Sequence, residues 1–135
     1  VCSYVGIAAR NVAGIMLHSA LNLMGRSSHS TSATADFMSL WDSVDLMFID
    51  EVSVLSCQFL RQISCALSVA KGNPSAFGGM NVIFAGDFAQ LPPPADARLY
   101  GGIDGEKCSK SNVGQDIIFR KLLWFSVQTV VFLTQ

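Results

Sequence analysis

Charge is what this sequence has least of. Of its 135 residues only 14% are charged, against roughly 25% in ordinary soluble domains. Nine Lys+Arg face ten Asp+Glu, for a formal net charge of −1. With no basic excess to neutralise phosphates, a self-contained basic nucleic-acid module is excluded. Half of the residues are hydrophobic and the mean hydropathy is +0.41, which excludes a disordered acidic or basic tail. Long apolar runs are also missing. A membrane-spanning helix needs about 20 mostly apolar residues. The run at residues 46–49 stops at Asp50-Glu51, and residues 122–133 are interrupted by Ser126, Gln128 and Thr129. No membrane partner is expected. The first residues carry no positive charge, so they do not read as a signal peptide, and without an initial Met the chain reads as a piece of a longer one. None of the four cysteines (Cys2, Cys57, Cys65, Cys108) has C-x-x-C spacing, and neither His18 nor His29 completes a zinc set. Cys57 and Cys65, eight apart, should share one side of a helix as buried, reduced thiols. That suits a reducing compartment, nucleus or cytosol.

What is present is an alternation of short apolar runs and helical patterns. Residues 1–4 end a strand, and residues 6–9 begin a short helix. Residues 16–23 are apolar at helical spacing, with Leu17, Ala20, Leu21 and Met24 on one side. Residues 27–34 form a Ser/Thr-rich loop, after which Asp36 caps a helix through Phe37, Leu40 and Trp41. Residues 46–49, LMFI, suit a parallel strand covered on both faces. Ser56 caps a helix running to Lys71 with Phe59, Leu60, Ile63, Leu67 and Ala70 as its apolar face. A Gly78-Gly79 turn leads to a second buried strand at 81–85. Residues 101–114 read as a loop, 116–125 as a helix and 129–133 as a third clear strand. The reading is a single α/β domain with a mainly parallel sheet.

In an open parallel sheet, ligands bind beyond the carboxyl ends of the strands. Asp50 and Glu51 follow the first buried strand. Gly86, Asp87 and Gln90 follow the second. One rim would then carry three carboxylates and a carboxamide. The first acid of such a pair can hold Mg²⁺ and the second can take a proton from an attacking water. The pleat would aim them in different directions. Gly86 lets the backbone come close to a phosphate, and Gln90 could reach the terminal phosphate. Against this stands the plainer possibility that Asp50 and Glu51 merely end a strand and begin the next helix. His18 on an apolar helix is equally compatible with a packed edge histidine, and Trp41 and Trp124 with core.

These residues resemble a family. LMFIDEVSVLS (46–56) is similar to the Walker B element of superfamily-one helicases, above all the Pif (petite integration frequency) DNA helicases and the helicase domain of Helitron transposons. FGGMNVIFAGDFAQLPP (77–93), with Leu99-Tyr100 after it, resembles that family's next motif and is the more specific match. GIAARNVAGIMLHSAL (6–21) resembles the motif that contacts single-stranded DNA. The resemblance implies the first RecA-like domain of an ATP-dependent DNA helicase. Asp50 would be the Mg²⁺ acid, Glu51 the general base, and Gln90 the γ-phosphate sensor. Gly86 and Asp87 would lie by the nucleotide, and Asn11, Gly14 and His18 against single-stranded DNA. It implies ATP and Mg²⁺ as cofactors, single-stranded and duplex DNA as partners, and 5′-to-3′ unwinding by a monomeric parent. Work in DNA repair, recombination and telomere maintenance would follow, in the nucleus or mitochondrion.

The departures are specific. Val5 stands where the family usually has a threonine. Ala13 and Met16 stand where it has a Gly-Gly pair and another threonine, so two hydroxyls that could contact phosphate or base are lost. No G-x-x-x-x-G-K-[ST] occurs in the 135 residues. The reading is therefore a partial domain, 1–135, without the phosphate-binding loop or a second RecA-like domain, and inactive alone. Two alternatives stay open: a non-catalytic, transposon-derived or degenerate relic, and a P-loop ATPase acting on a partner other than DNA.

Overall fold

The computed structural model describes residues 1–4, 6–11, 13–23, 31–94, 97–100 and 112–133, with only the backbone described for helix residues 31–34 and 112–117. Four parallel strands form one sheet: β1 (Cys2–Ser3), β2 (Ile15–Met16), β3 (Leu46–Asp50) and β4 (Asn81–Phe84). Their order across the sheet is β2-β1-β3-β4. Among the described residues, α1 (Gly6–Asn11), α2 (Leu17–Ala20), α3 (Thr31–Trp41) and α4 (Cys57–Lys71) connect them, and α5 (Asn112–Phe125) follows β4.

Helix α4 forms where both of its ends are capped. The Ser56 hydroxyl accepts the Phe59 N–H at 3.1 Å, satisfying one of the donors a helix start leaves open. At the other end the Gly72 and Asn73 N–H groups close onto Val69 and Ser68 carbonyls. Between the caps, Leu60, Ile63 and Leu67 recur at helical spacing and are fully buried, each contributing roughly 1.5–3 kcal/mol of apolar burial. The Phe77-Gly78-Gly79 turn lies directly on this helix. The Phe77 N–H donates to the Ser64 hydroxyl at 2.9 Å, and a Cβ on Gly78 would sit 2.4 Å from the Leu67 carbonyl oxygen. Lys71 reaches the end of α3, its Nζ donating to the Trp41 and Asp42 carbonyls at 2.6 and 3.1 Å.

Register decides which side of the sheet meets α4. Cys2 pairs with Ile49, and Met47 and Ile49 pair with Val82 and Phe84. These five share one face and join the core with α4, Leu17, Leu21, Trp41 and Leu99. On the other face Leu46 and Ile83 remain 53% and 47% exposed. The expected cover on both faces is thus realised on one. The core packs against one side, and α1 lies against β1 and β2.

Other expectations also need correction. The helical reading of 16–23 begins instead with β2, and α2 spans only Leu17–Ala20. Helix α3 starts at Thr31, five residues before Asp36, and α5 starts at Asn112 rather than 116. Residues 129–133 form no strand. The sheet ends at β4, and a strand exists only where its N–H and C=O groups find a neighbour. Val130, Val131, Phe132 and Leu133 are accordingly 69%, 76%, 85% and 97% exposed. Cys57 is buried with its thiol 3.3 Å from the Arg98 carbonyl, but Cys65 is exposed. Eight helical residues turn the chain by about 80° past two full turns, enough to carry Cys65 out of the core. His29, Val5 and Cys108 lie outside the described residues.

Candidate active site

All four strands run the same way, so their carboxyl ends share one rim. Strand β2 leads to His18, β1 to Tyr4, β3 to Asp50-Glu51 and β4 to Gly86-Asp87. The centre of the rim is the junction of β3 and β4, where pairing continues past the strand ends. Ala85 N–H donates to the Ile49 carbonyl at 2.8 Å, and Val52 N–H donates to the Ala85 carbonyl at 2.9 Å. Gly86 sits so close to this crossing that a Cβ would lie 2.8 Å from the Val52 nitrogen, and its φ of +147° is one few side-chain-bearing residues adopt. A glycine here is a packing requirement of the junction.

The acid pair sits on that junction. Asp50 is the last residue of β3 and is half-buried. Glu51 leaves the strand in the left-handed region, φ 60° and ψ 46°, which a non-glycine residue occupies at a cost and which recurs at functional sites. Its N–H donates to Asp50 Oδ1 at 2.9 Å. Glu51 thus leaves the strand through a left-handed turn rather than continuing the pleat. One Asp50 oxygen is held and the second has no bond within the pair. Mg²⁺ commonly takes one or two carboxylates and completes its shell with water and phosphate oxygens, so this carboxylate fits such an ion. Among the described residues no three His, Cys, Asp or Glu side chains come together as a metal set. Asp87 instead folds into its own turn, Oδ1 accepting the Ala89 N–H at 2.8 Å, while Gln90 N–H donates to the Asp87 carbonyl at 3.1 Å. Asp87 and Gln90 are exposed on the loop beyond the junction.

Of the three residues expected against DNA, only His18, just past β2, stands at the carboxyl rim; Asn11 and Gly14 precede β2 and lie toward the amino ends of the strands. Asn11 is exposed, and Gly14 is half-buried with its N–H on the Ala9 carbonyl at 2.8 Å. His18 is half-buried. Its ring packs 4.6 Å from Phe59 and 5.3 Å from Tyr4, and Nδ1 is buried with no partner. These two neighbours were not legible in the sequence, because they come from separate elements with no shared spacing.

A parallel α/β sheet of this kind, with one interior strand ending in an acid pair and its neighbour in a Gly-Asp loop, has the RecA-like fold. The profile of the family described as PIF1-like helicase matches residues 1–134, and the chain belongs to that family. It is 29% identical over 99 residues to the ATP-dependent DNA helicase PIF1 of Saccharomyces cerevisiae (strain YJM789), covering 69% of this chain and 12% of that protein. It is 35% identical over 104 residues to the ATP-dependent DNA helicase PIF4 of Trypanosoma brucei brucei (strain 927/4 GUTat10.1), covering 67% and 12%. Among solved structures, the Pif1 helicase from Bacteroides in complex with ADP-AlF3 and ssDNA superposes with a TM-score of 0.59 at 29% identity, covering 70% of this chain and 23% of that one. The chain thus spans about an eighth of the length of these two curated relatives. Among the described residues no helix is long and apolar enough to cross a membrane.

Proposed function

We propose that these residues are part of the first RecA-like domain of an ATP-dependent DNA helicase. The observation that carries the reading is the β3–β4 junction, where Asp50 and Glu51 stand beside the Gly86-Asp87 turn on one rim. In this reading Asp50 holds Mg²⁺ through the oxygen that Glu51 N–H leaves free. Glu51, turned off the strand, takes the proton of the attacking water. Gln90, on the exposed loop, contacts the γ-phosphate. Gly86, bare of a side chain, and Asp87 border the nucleotide. Bound Mg²⁺ would neutralise charge on the phosphate oxygens. Asn11, Gly14 and His18 line the path of single-stranded DNA.

The phosphate-binding loop and second RecA-like domain would belong to other parts of a longer, monomeric protein. That protein would unwind DNA 5′ to 3′ in repair, recombination and telomere maintenance, in the nucleus or mitochondrion. The similarity to proteins named ATP-dependent DNA helicases supports the activity. The test is DNA-stimulated ATP hydrolysis by the full-length product. Glu51→Gln should lower the rate about 10²–10⁴-fold, the usual worth of a positioned general base. Undiminished hydrolysis would remove Glu51 from its role. The 135-residue chain alone should hydrolyse no ATP, and a helicase-like rate from it would overturn the partial-domain reading.

One observation favours a second reading, a relic that has kept the fold and lost the reaction. Ala13 occupies a left-handed conformation, φ 49°, at a place where the related motif has glycine. ATP hydrolysis by the full-length product excludes the relic.

A further inference from the structure

Beside the junction is a cluster of rings that the acid pair does not use. Phe88 sits at the apex of the Asp87–Gln90 turn, which the Asp87 carboxylate and carbonyl both close. Its ring lies 4.8 Å from Tyr100, tilted by 50°, and 5.8 Å from Trp124, edge-on at 84°. Tyr100 comes from a separate segment that is pinned to the start of α4. Arg98 bridges Ser56, the Ala97 carbonyl accepts the Cys57 N–H at 3.0 Å, and Leu99 is 1% exposed. Trp124 is in turn braced by Phe84 at 5.5 Å. Three segments therefore hold these rings from behind, yet Phe88 and Tyr100 stay 37% and 38% exposed. The Arg98 guanidinium stands 5.8 Å from the Tyr100 ring centre.

Rings held this firmly but left open are unusual, because burying them would be favourable. A braced aromatic surface with a cation at one side matches a planar base joined to a phosphate, and base–aromatic stacking tolerates any sequence. We propose that Phe88 and Tyr100 form a stacking platform for a nucleobase of single-stranded nucleic acid, with Arg98 taking the adjacent phosphate. Asp87, whose carboxylate closes the Phe88 turn, repels phosphate, so the strand's backbone passes on the Arg98 side. The proposal rests on the reading that the parent works on DNA and adds contacts at residues to which that reading gives no DNA role.

The test uses the 135-residue chain and a single-stranded oligonucleotide with one 2-aminopurine, in low salt. Stacking quenches 2-aminopurine emission, and quenching should saturate with the unsubstituted chain. Phe88→Ala and Tyr100→Ala should each weaken binding about five-fold to a hundred-fold, with circular dichroism confirming the fold. Tyr100→Phe should retain both binding and quenching. Arg98→Gln should weaken binding and flatten its salt dependence while quenching at saturation survives. An absence of quenching by the unsubstituted chain overturns the platform, as does binding that Phe88→Ala leaves unchanged. Displacement of the oligonucleotide by ATP would assign the rings to the nucleotide instead and overturn the strand assignment. These outcomes are separate from the Glu51→Gln assay, which tests hydrolysis and does not depend on Phe88 or Tyr100.

Discussion

The two halves of the sheet hold their shape by different means. In the β3–β4 half, four register pairs join strands of five and four residues, and backbone hydrogen bonds continue the pairing beyond both ends. In the β1–β2 half each strand has two residues, and the connection carries a left-handed alanine at residue 13. That half is anchored by side chains instead, with Leu17 and Leu21 sunk into the common core. The acid pair stands on the half built from backbone. His18, with Asn11 and Gly14, stands on the half built from side-chain anchors. Backbone geometry is hard to change by substituting a side chain, except where the side chain itself intrudes on backbone.

Gly86 is such a place, and it gives the largest expected effect. Gly86→Ala places a methyl against the Val52 nitrogen at a strained φ, and should cost about 2–4 kcal/mol, read as a lower urea midpoint. An unchanged midpoint would mean the junction is not rigid, and the contrast between the halves would fall. Ser56→Ala removes the α4 cap and should cost about 1 kcal/mol in the same measurement. Ala13→Gly acts on the other half and in the other direction. Relief of the left-handed alanine should raise stability by up to about 1 kcal/mol, and a loss would show that residue 13 is not strained. The smallest effect concerns Cys2. Burial pushes its thiol pKa up, against the opposing pull of the N-terminal ammonium. The folded value lies above the unfolded one, so the thiol's contribution is complete below the unfolded value. It is lost as pH rises from there through the folded value. Urea midpoints at rising alkaline pH should fall more for the unsubstituted chain than for Cys2→Ala.

What could be read from sequence follows the same division. Strand β3, helix α4 and strand β4 were legible because an apolar run bounded by acids, a serine cap and a closing Gly-Asn-Pro are local signals. Strand β2 was not, since two residues cannot show a period and Ile15-Met16 merges into the helical pattern after it. Residues 129–133 carry a strand's composition, yet composition cannot supply a pairing, and among the described residues no strand pairs with the outer edge of β4. The acid pair was visible as adjacent letters. Its left-handed turn and the bond from Glu51 to Asp50 were not, since they arise from the crossing with Ala85 and Gly86. The platform of Phe88 and Tyr100 joins residues twelve apart through an intervening proline-rich stretch, a meeting that only the pinning of Arg98 and Leu99 to α4 produces.

The Val52–Ala85 hydrogen bond has a consequence for timing. It ties the residue after Glu51 to the residue before Gly86, so the turn bearing the acid and the loop bearing Gln90 form one mechanical linkage. A push on the loop reaches the acid within the same motion, unless that bond breaks first. With the Ala85–Ile49 bond beside it, this link couples the two sides of the rim as one rigid piece.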